Sequence, residues 1–337
     1  MPASPEPRTT IQNLVEVDTD GDNDSAYADS IGTASYLTSL SSSIRNYKYE
    51  NGRRYHAFRE GSYTLPNDEQ EQERMDLGHH LYTMLLCGKL YTAPVDHPQR
   101  ILDMGTGTGI WAIAVADEHP ESEVIGTDLS AIQPPWVPPN LTFEIDDFEN
   151  EWPYSRKFDL IHGRELNGFV ADYDCLFEQA FNNLNPGGWF EMQSAEVNVF
   201  SDDGGMDKAK NLTSWIEGLH ESSEMFGKSM TEVSTWKDRF LKAGFEDIRV
   251  DIRIIPIGGW AKDPKLKEIG KWHQAQVIQA VGAYTPALYT RYLGWTAEEV
   301  DVLCASVRTE LKDKSLHLYQ KVHFISGRRP VLQETEN

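Results

Sequence analysis

Three glycines at alternate positions follow an apolar segment and an acid, which is typical of a ligand-binding turn. The sequence predicts a buried strand that reaches Asp103, a tight turn with Gly105, Gly107 and Gly109, and a helix that begins at Ile110. Glycine lets the backbone turn sharply and lets a ligand approach without a Cβ in the way. Dinucleotide-binding enzymes use the spacing Gly-x-Gly-x-x-Gly to hold a pyrophosphate. Here the third glycine comes one residue early, and the nearby carboxylate suits a cationic ligand better than a diphosphate.

Two further acidic positions extend this candidate site. Asp128 ends an apolar segment about twenty residues after the glycine turn, where an acid typically accepts hydrogen bonds from ribose hydroxyls. Asp147 and Phe148 follow the next strand-like segment, 141–145. A carboxylate there can accept the amino hydrogens of adenine while an aromatic ring covers the base. These positions predict a site for an adenosine-containing ligand.

Candidate catalytic residues follow the fourth predicted strand, 158–162. His162 ends that strand and Glu165 comes three positions later. Either group could act as a general base toward a hydroxyl substrate, whereas an amine or a thiol needs only to lose its proton beforehand. His162 could equally be a wall of the pocket, a neighbour of the adenosine or a structural histidine.

Several stretches together resemble the LaeA-like family of fungal class I S-adenosylmethionine-dependent methyltransferases. The resemblance rests on the glycine turn, Asp128, Asp147-Phe148 and the Asn-Pro-Gly-Gly segment at 185–188, and it covers roughly residues 45–327. It is made specific by four stretches: 51–58, 63–74, 128–135 and 158–164.

The resemblance implies S-adenosyl-L-methionine as the cofactor. Arg164 would then hold its methionine carboxylate or shape the lid, and Tyr63 would close over it. The full set of expected cofactor-binding residues is Tyr63, Asp103, Gly105, Thr106, Gly107, Gly109, Asp128, Leu129, Asp147, Phe148, His162 and Arg164. Members of the family either methylate small natural-product intermediates or act as regulators of secondary metabolism in a nuclear protein complex, and both possibilities stay open. A nicotinamide-dependent oxidoreductase is a third, less favoured possibility.

The amino-acid composition limits the kinds of partner and the compartment that we expect for this protein. The 53 acidic residues against 31 Lys and Arg give a net charge of −22, which repels nucleic-acid backbones. The three cysteines are scattered, which indicates a reducing compartment. We find no secretory signal and no apolar run of about 20 residues. We therefore expect a cytoplasmic or nuclear protein that is not secreted, contacts no membrane and binds no nucleic acid directly.

Three segments are expected along the chain. Residues 1–33 are acidic and poor in large apolar groups, so we expect a disordered arm that could bind a protein partner. Residues 34–98 should form an N-terminal helical cap segment. Residues 99–337 should form the methyltransferase domain, with cap insertions at about 198–230 and 257–312. Neither the alternating acids of 18–24 nor the pair His79-His80 has metal-ligand spacing, so we expect no metal site.

The fold class predicted is α/β, because apolar strands alternate with helical patterns between 100 and 196. The family pattern makes this a doubly wound, seven-stranded sheet whose last strand is antiparallel. The sequence predicts a helix over about 67–90, with Asn67 as its N-cap and Gln70 reaching back to it. Further helices are expected at 173–184, 207–226, 234–243, 264–281 and 297–312, and strands at 189–197, 248–255 and 316–325.

Overall fold

The structure is a computed structural model that describes residues 8–11, 47–56, 61 and 63–331. Its strands are β1 (Arg8–Ile11), β2 (Lys48–Glu50), β3 (Arg53–Tyr55), β4 (Arg100–Met104), β5 (Glu123–Asp128), β6 (Leu141–Ile145), β7 (Phe158–Arg164), β8 (Leu184–Ala195), β9 (Glu246–Pro256) and β10 (Tyr319–Arg328). Its α-helices are α1 (Glu69–Leu85), α2 (Ile110–Glu118), α3 (Tyr173–Asn183), α4 (Gly205–Lys208), α5 (Lys210–Phe226), α6 (Trp236–Lys242), α7 (Pro264–Tyr292) and α8 (Ala297–Leu311). Two short 3-10 helices span Glu232–Thr235 and Lys314–Leu316.

The central sheet confirms the predicted doubly wound topology. Seven strands lie in the order β9-β10-β8-β7-β4-β5-β6, and β10 runs antiparallel to both of its neighbours. The strands β8, β7, β4, β5 and β6 pair in parallel, so their carboxyl ends meet at one edge of the sheet. Ligands of such sheets bind at that edge, near the point where the strand order reverses.

An eighth strand lies within the segment that we expected to be disordered. Arg8–Ile11 form β1, which pairs in parallel with β9 and extends the edge of the sheet. The expectation of disorder is therefore wrong for these four residues, because an exposed sheet edge offers backbone hydrogen bonds to any extended segment. The rest of the arm 1–33 lies outside the described residues.

Alternating side chains of the central strands enter two different hydrophobic clusters. Leu102, Ile161 and Phe190 pack with α3 and α6 on one face of the sheet. Their chain neighbours, among them Ile101 and Leu160, pack with α2 on the other face. Because successive residues of a strand point to opposite faces, continuous apolar runs such as these belong to strands covered on both sides. The sheet is therefore a rigid platform for the loops at its carboxyl edge.

The cap is built largely from helices α5, α7 and α8, which share one hydrophobic cluster. These helices occupy the two predicted insertions, with α4 and α5 replacing the single helix expected over 207–226. The N-terminal segment contributes the β2–β3 hairpin as well as α1, so it is less helical than expected. No described helix is both long enough and apolar enough to cross a membrane.

Helix α7 continues eleven residues beyond its predicted end at 281 and contains Pro286. A proline in a helix leaves the carbonyl four residues earlier without its usual donor. Here that carbonyl belongs to Gly282, and it accepts a hydrogen bond of 2.9 Å from Nη1 of Arg53. The guanidinium of Arg53 also binds Asp68, so the helix is continued across the proline by a distant side chain that no local pattern reveals.

The N-cap of α1 is Asp68, one residue later than predicted. Its carboxylate accepts a hydrogen bond from the backbone N–H of Glu71, at 3.0 Å. The side chain of Asn67 instead accepts from Arg54 and donates to the hydroxyl of Ser130, in the loop after β5. The start of α1 is thus tied to the carboxyl edge of the sheet.

Helix α8 begins with a complete capping box, which gives a stability prediction. The hydroxyl of Thr296 accepts a hydrogen bond from the backbone N–H of Glu299. In return, the Glu299 carboxylate accepts a hydrogen bond from the backbone N–H of Thr296. We expect Thr296→Ala to lower the free energy of unfolding by about 1 kcal/mol, because one backbone donor loses its acceptor. Urea denaturation followed by circular dichroism measures this. A change below about 0.3 kcal/mol would show that the cap contributes little.

Candidate functional site

The glycine turn between β4 and α2 adopts a backbone that only glycine takes easily. Gly105, Gly107 and Gly109 have φ angles of +62°, +57° and +81°. A Cβ on Gly109 would lie 2.3 Å from the ring of Phe143, and one on Gly107 would lie 3.0 Å from the sulfur of Met75. The turn is therefore closely packed against the sheet on one side and against α1 on the other, as the sequence pattern implies.

Asp128 lies at the carboxyl end of β5 and faces the glycine turn. Its carboxylate accepts hydrogen bonds from the backbone N–H groups of Gly107, at 2.9 Å, and of Ser130, at 2.8 Å. Burial raises the pKa of Asp128 to about 6, although these hydrogen bonds oppose the shift. A buried carboxylate of this kind gains from further donors, such as the hydroxyls of a ligand.

The third predicted position lies beside the same turn. Asp147 is buried, and its carboxylate accepts from the backbone N–H of Glu149 at 3.0 Å. The ring of Phe148 lies 3.5 Å from the position that a Cβ on Gly105 would take. The indole of Trp152 donates to the backbone carbonyl of Phe148, which fixes this segment. An acid and an aromatic face are thus held together at the end of β6.

Asp103, Thr106 and His162 form a buried hydrogen-bonded group beneath the turn. The carboxylate of Asp103 accepts from the hydroxyl of Thr106 at 2.6 Å and from Nδ1 of His162 at 2.8 Å. The imidazole stacks on Trp111, with a centroid separation of 3.7 Å and an interplanar angle of 4°. Burial lowers the pKa of His162, although Asp103 opposes this shift. The ring is therefore neutral at pH 7, and its buried Nε2 has no hydrogen-bond partner in the described part of the chain.

Arg164 ends β7, and its guanidinium is occupied by protein groups. It donates to Gln193 at 2.9 Å, to Nδ1 of His79 at 3.3 Å and to the carbonyl of Leu90 at 3.4 Å. It also lies over the ring of Tyr82, at 4.6 Å from the centroid. Arg164 therefore joins α1, the segment around residue 90 and β8 behind the site.

Glu165 follows Arg164 and has a φ of +56°, which is uncommon for a residue other than glycine. Its carboxylate accepts from the hydroxyl of Tyr82, from the backbone N–H of Ala195 at 3.1 Å and from Ser194 at 3.4 Å. The unusual backbone angle directs this carboxylate toward α1 and the cap.

Two tyrosines from different segments, Tyr63 and Tyr284, line another side of the site. Tyr63 packs on Phe169, and its pKa is raised by burial and by the neighbouring Asp128 carboxylate. Tyr284 comes from α7, and its ring lies 5.6 Å from the guanidinium of Arg74 on α1. Of these, the sequence identified Tyr63 but not Tyr284 or Arg74, whose position depends on how the cap packs over the sheet.

All twelve residues predicted to bind the cofactor, except Gly109, line one cavity together with Glu165. The cavity extends beyond the glycine turn between α1, α5 and α7. The walls of its far part are mainly apolar, with Leu81, Val199, Ile216, Leu219, Val277 and Ala280, and they also include the polar side chains of Glu196, Asn198, His273, Gln276 and Gln320. Among the described residues, no group of three His, Cys, Asp or Glu side chains is placed to hold a metal ion.

Comparison with known proteins shows the family. A family model described as a methyltransferase domain matches residues 53–250. The chain is 40% identical over 320 residues to methyltransferase pytC of Aspergillus terreus, covering 94% of this chain and 97% of that protein. It is 36% identical over 289 residues to the secondary metabolism regulator LAE1 of Cochliobolus heterostrophus, covering 83% and 94%. It is 35% identical over 300 residues to the protein-methionine methyltransferase laeA of Emericella nidulans, covering 88% and 80%.

The matched region contains β4 to β8 and every position that the sequence analysis assigned to the site. The matched region spans more than half of the chain. The alignment with pytC covers 94% of the chain. The chain belongs to the methyltransferase domain family and is an S-adenosyl-L-methionine-dependent methyltransferase of the Rossmann-like fold.

Proposed function

We propose that this methyltransferase acts on a small natural-product intermediate that has a largely apolar body. The observation that carries the proposal is the continuity of the cavity: a polar part beside the glycine turn opens into an apolar part beneath the cap helices. Enclosed apolar walls favour a small organic molecule, because binding sites of this kind are concave and mostly apolar. The similarity to methyltransferase pytC over nearly the whole chain supports methyl transfer as the reaction.

The adenosine of the cofactor fits between the ends of β5 and β6. We assign the ribose hydroxyls to Asp128 and the adenine to Asp147, Phe148 and Leu129, which line the cavity together. Gly105, Thr106 and Gly107 line the cavity beside the adenosine position, and the two glycines present backbone without a Cβ, so a ligand can approach closely. We assign Asp103 a positioning role, because its carboxylate accepts hydrogen bonds from Thr106 and His162 and so holds both side chains in place.

The bound cofactor supplies an activated methyl group on a positively charged sulfur, and the protein has to align the acceptor and exclude water. Glu165 is a carboxylate of the cavity wall that the cofactor assignments leave unused, so we assign to it the uptake of a proton from a hydroxyl acceptor. Tyr82 and the backbone N–H of Ala195 orient this carboxylate. His162, stacked and buried, forms a wall beside the cofactor rather than the base.

Ligand affinity should depend on pH through Asp128. Its pKa of about 6 in the free protein means that lowering the pH below 6 protonates the carboxylate, and a protonated group accepts ribose hydrogen bonds less well. We expect the dissociation constant of S-adenosylhomocysteine to be constant above pH 7 and to rise up to about tenfold per pH unit below 6. Isothermal titration calorimetry between pH 5 and 8 measures this.

The variant Asp128→Ala tests whether Asp128 causes this pH dependence of the dissociation constant. It should weaken binding at pH 7.5 by about 2 kcal/mol, or about thirtyfold, and should flatten the pH dependence. An unchanged dissociation constant would show that Asp128 does not contact the ribose.

A regulatory role is the second candidate, and it is favoured by the similarity to LAE1 and laeA. In that role the protein would act within a nuclear complex, and the acidic segment 1–33 would contact a basic partner protein. An enzyme of a single pathway would act on its acceptor in the cytoplasm or the nucleus without that segment. The net charge of −22 disfavours direct nucleic-acid binding in either role.

Gene deletion with complementation separates the two roles. The comparison is between the full-length chain and a version that keeps β1 but has the acids after it replaced by Gln or Asn, each restored to a deletion strain; the replaced acids are Glu16, Asp18, Asp20, Asp22, Asp24 and Asp29. Loss of one methylated metabolite, restored by both versions, supports the enzyme. Loss of many unrelated metabolites, restored only by the full-length chain, would refute it and favour the regulator.

A further inference from the structure

Arg74 of α1 lines the cavity and pairs with the buried Glu71, and neither side chain has a role in the assignments above. Glu71 is 1% exposed and Arg74 is 7% exposed. The Nε and Nη2 atoms of Arg74 donate to the two carboxylate oxygens of Glu71, at 2.9 and 2.7 Å. Nη1 of Arg74 has no hydrogen-bond partner among the described residues, and the side chain lines the cavity. One strong donor of a buried cation therefore remains available to a ligand.

Stability alone does not account for this pair. Removing two charges from water costs several kcal/mol per ion, and an apolar pair of similar volume often stabilises a protein more. Residues three apart on a helix usually form such pairs at the exposed surface, where the cost is small. Burial lowers the pKa of Arg74, but Glu71, Tyr284 and Glu165 raise it by more, so the guanidinium remains charged. A buried charged pair at a cavity wall is typical of a binding site.

The stretch of α1 that carries the pair packs against the glycine turn. The next residue of α1, Met75, has its sulfur 3.0 Å from the position that a Cβ on Gly107 would take. The residue after that, Asp76, accepts a hydrogen bond of 2.7 Å from the hydroxyl of Thr108. Arg74 lies within reach of the charge on Glu165, at the end of β7. Tyr63 lies within reach of the charges of both members of the pair and of Asp128, so the pair is close to the ribose position as well.

We infer that Arg74, held in place by Glu71, binds the carboxylate of the amino-acid end of the cofactor through its Nη1 donor. The inference rests on the cofactor site assigned under the proposed function. Glu71 keeps the buried guanidinium paired in the free protein, and Nη1 remains to meet a carboxylate that enters the cavity. Arg164, which the family resemblance assigned to that carboxylate, is less available, because each of its three nitrogens already has a protein partner.

Two ligands that differ only in this end test the inference. S-adenosylhomocysteine carries the amino-acid group, whereas 5′-methylthioadenosine has the same adenosine and thioether without it. The variant is the double substitution Glu71→Gln with Arg74→Met, which removes both charges and leaves neither one unpaired. By calorimetry we expect the affinity for S-adenosylhomocysteine to fall about 30- to 100-fold and that for 5′-methylthioadenosine to change less than about threefold.

Arg239→Met is the matched control. Arg239 also forms ion pairs, with Asp174 and Glu232, but it does not line the cavity. It should change the affinity for neither ligand. An equal loss for both ligands in the double variant would show a structural role and overturn the inference, and so would no loss for either. Unchanged binding of S-adenosylhomocysteine with impaired methyl transfer would assign the pair to a carboxylate on the acceptor, which also overturns it.

A measurement on the unaltered protein covers the case in which the double variant does not fold. We expect decarboxylated S-adenosylhomocysteine, which is 5′-(3-aminopropylthio)-5′-deoxyadenosine, to bind the unaltered protein at least about tenfold more weakly than S-adenosylhomocysteine does. Equal affinities would overturn the assignment of Arg74. Failure of the cofactor site itself is distinguishable, because the unaltered protein would then bind neither S-adenosylhomocysteine nor 5′-methylthioadenosine.

Discussion

Gly107→Val is expected to abolish binding of S-adenosylhomocysteine while the protein remains folded. Gly107 has a φ of +57°, a conformation that is strongly disfavoured for a β-branched side chain. The new side chain would also press against the sulfur of Met75 and would displace the backbone N–H that binds Asp128. The turn and its ribose-binding acid would both lose their positions. Calorimetry for binding and circular dichroism for the fold measure the two outcomes separately.

Gly227→Val is the control for backbone strain. Gly227 ends α5 with a φ of +83°, and no atom lies within 4 Å of the position that its Cβ would take. Both substitutions should destabilise the protein by about 1–3 kcal/mol through their backbone conformation. Only Gly107→Val should lose the ligand. A Gly107→Val protein that binds with unchanged affinity would show that the turn does not face the cofactor.

The parts of the site that were predictable from sequence are those encoded by neighbouring residues. The strand, the glycine turn and the helix between Arg100 and Glu118 form one continuous segment, and Asp128 and Asp147 each end a strand of their own. Because carboxyl ends of parallel strands meet at one edge, residues of these types had to come together. The parallel part of the sheet followed from the same alternation of strands and helices, whereas the antiparallel last strand was predicted from the family resemblance.

The parts that were missed depend on contacts between distant segments. Asp68 rather than Asn67 caps α1 because Asn67 is used by Arg54 and Ser130. Helix α7 passes through Pro286 because Arg53, more than two hundred residues away, binds the freed carbonyl. Arg74 and Tyr284 meet only because the cap folds over the sheet. Each of these pairings is decided by tertiary packing, which outweighs local preference.

The substitution Ala280→Trp tests which part of the cavity holds the acceptor. Ala280 lies on α7 in the apolar part, and a Trp there would occupy space that the acceptor needs without touching the residues assigned to the cofactor. We expect methyl transfer to fall by at least about 100-fold, since even a small misplacement of the reacting groups has an effect of this size. Binding of S-adenosylhomocysteine should change by less than about threefold.

The assay for this variant follows label from methyl-tritiated S-adenosylmethionine into organic-soluble product, using extract from the gene-deletion strain as the source of acceptor. Ala305→Trp is the matched control, because Ala305 lies on the exposed side of α8 and should leave both transfer and binding unchanged. If Ala280→Trp transfers label as fast as the unaltered protein, the acceptor does not enter the apolar part of the cavity. The acceptor would then have to reach the methyl group from outside the cap, as a protein side chain would, and the regulatory role would become the better account of the molecule.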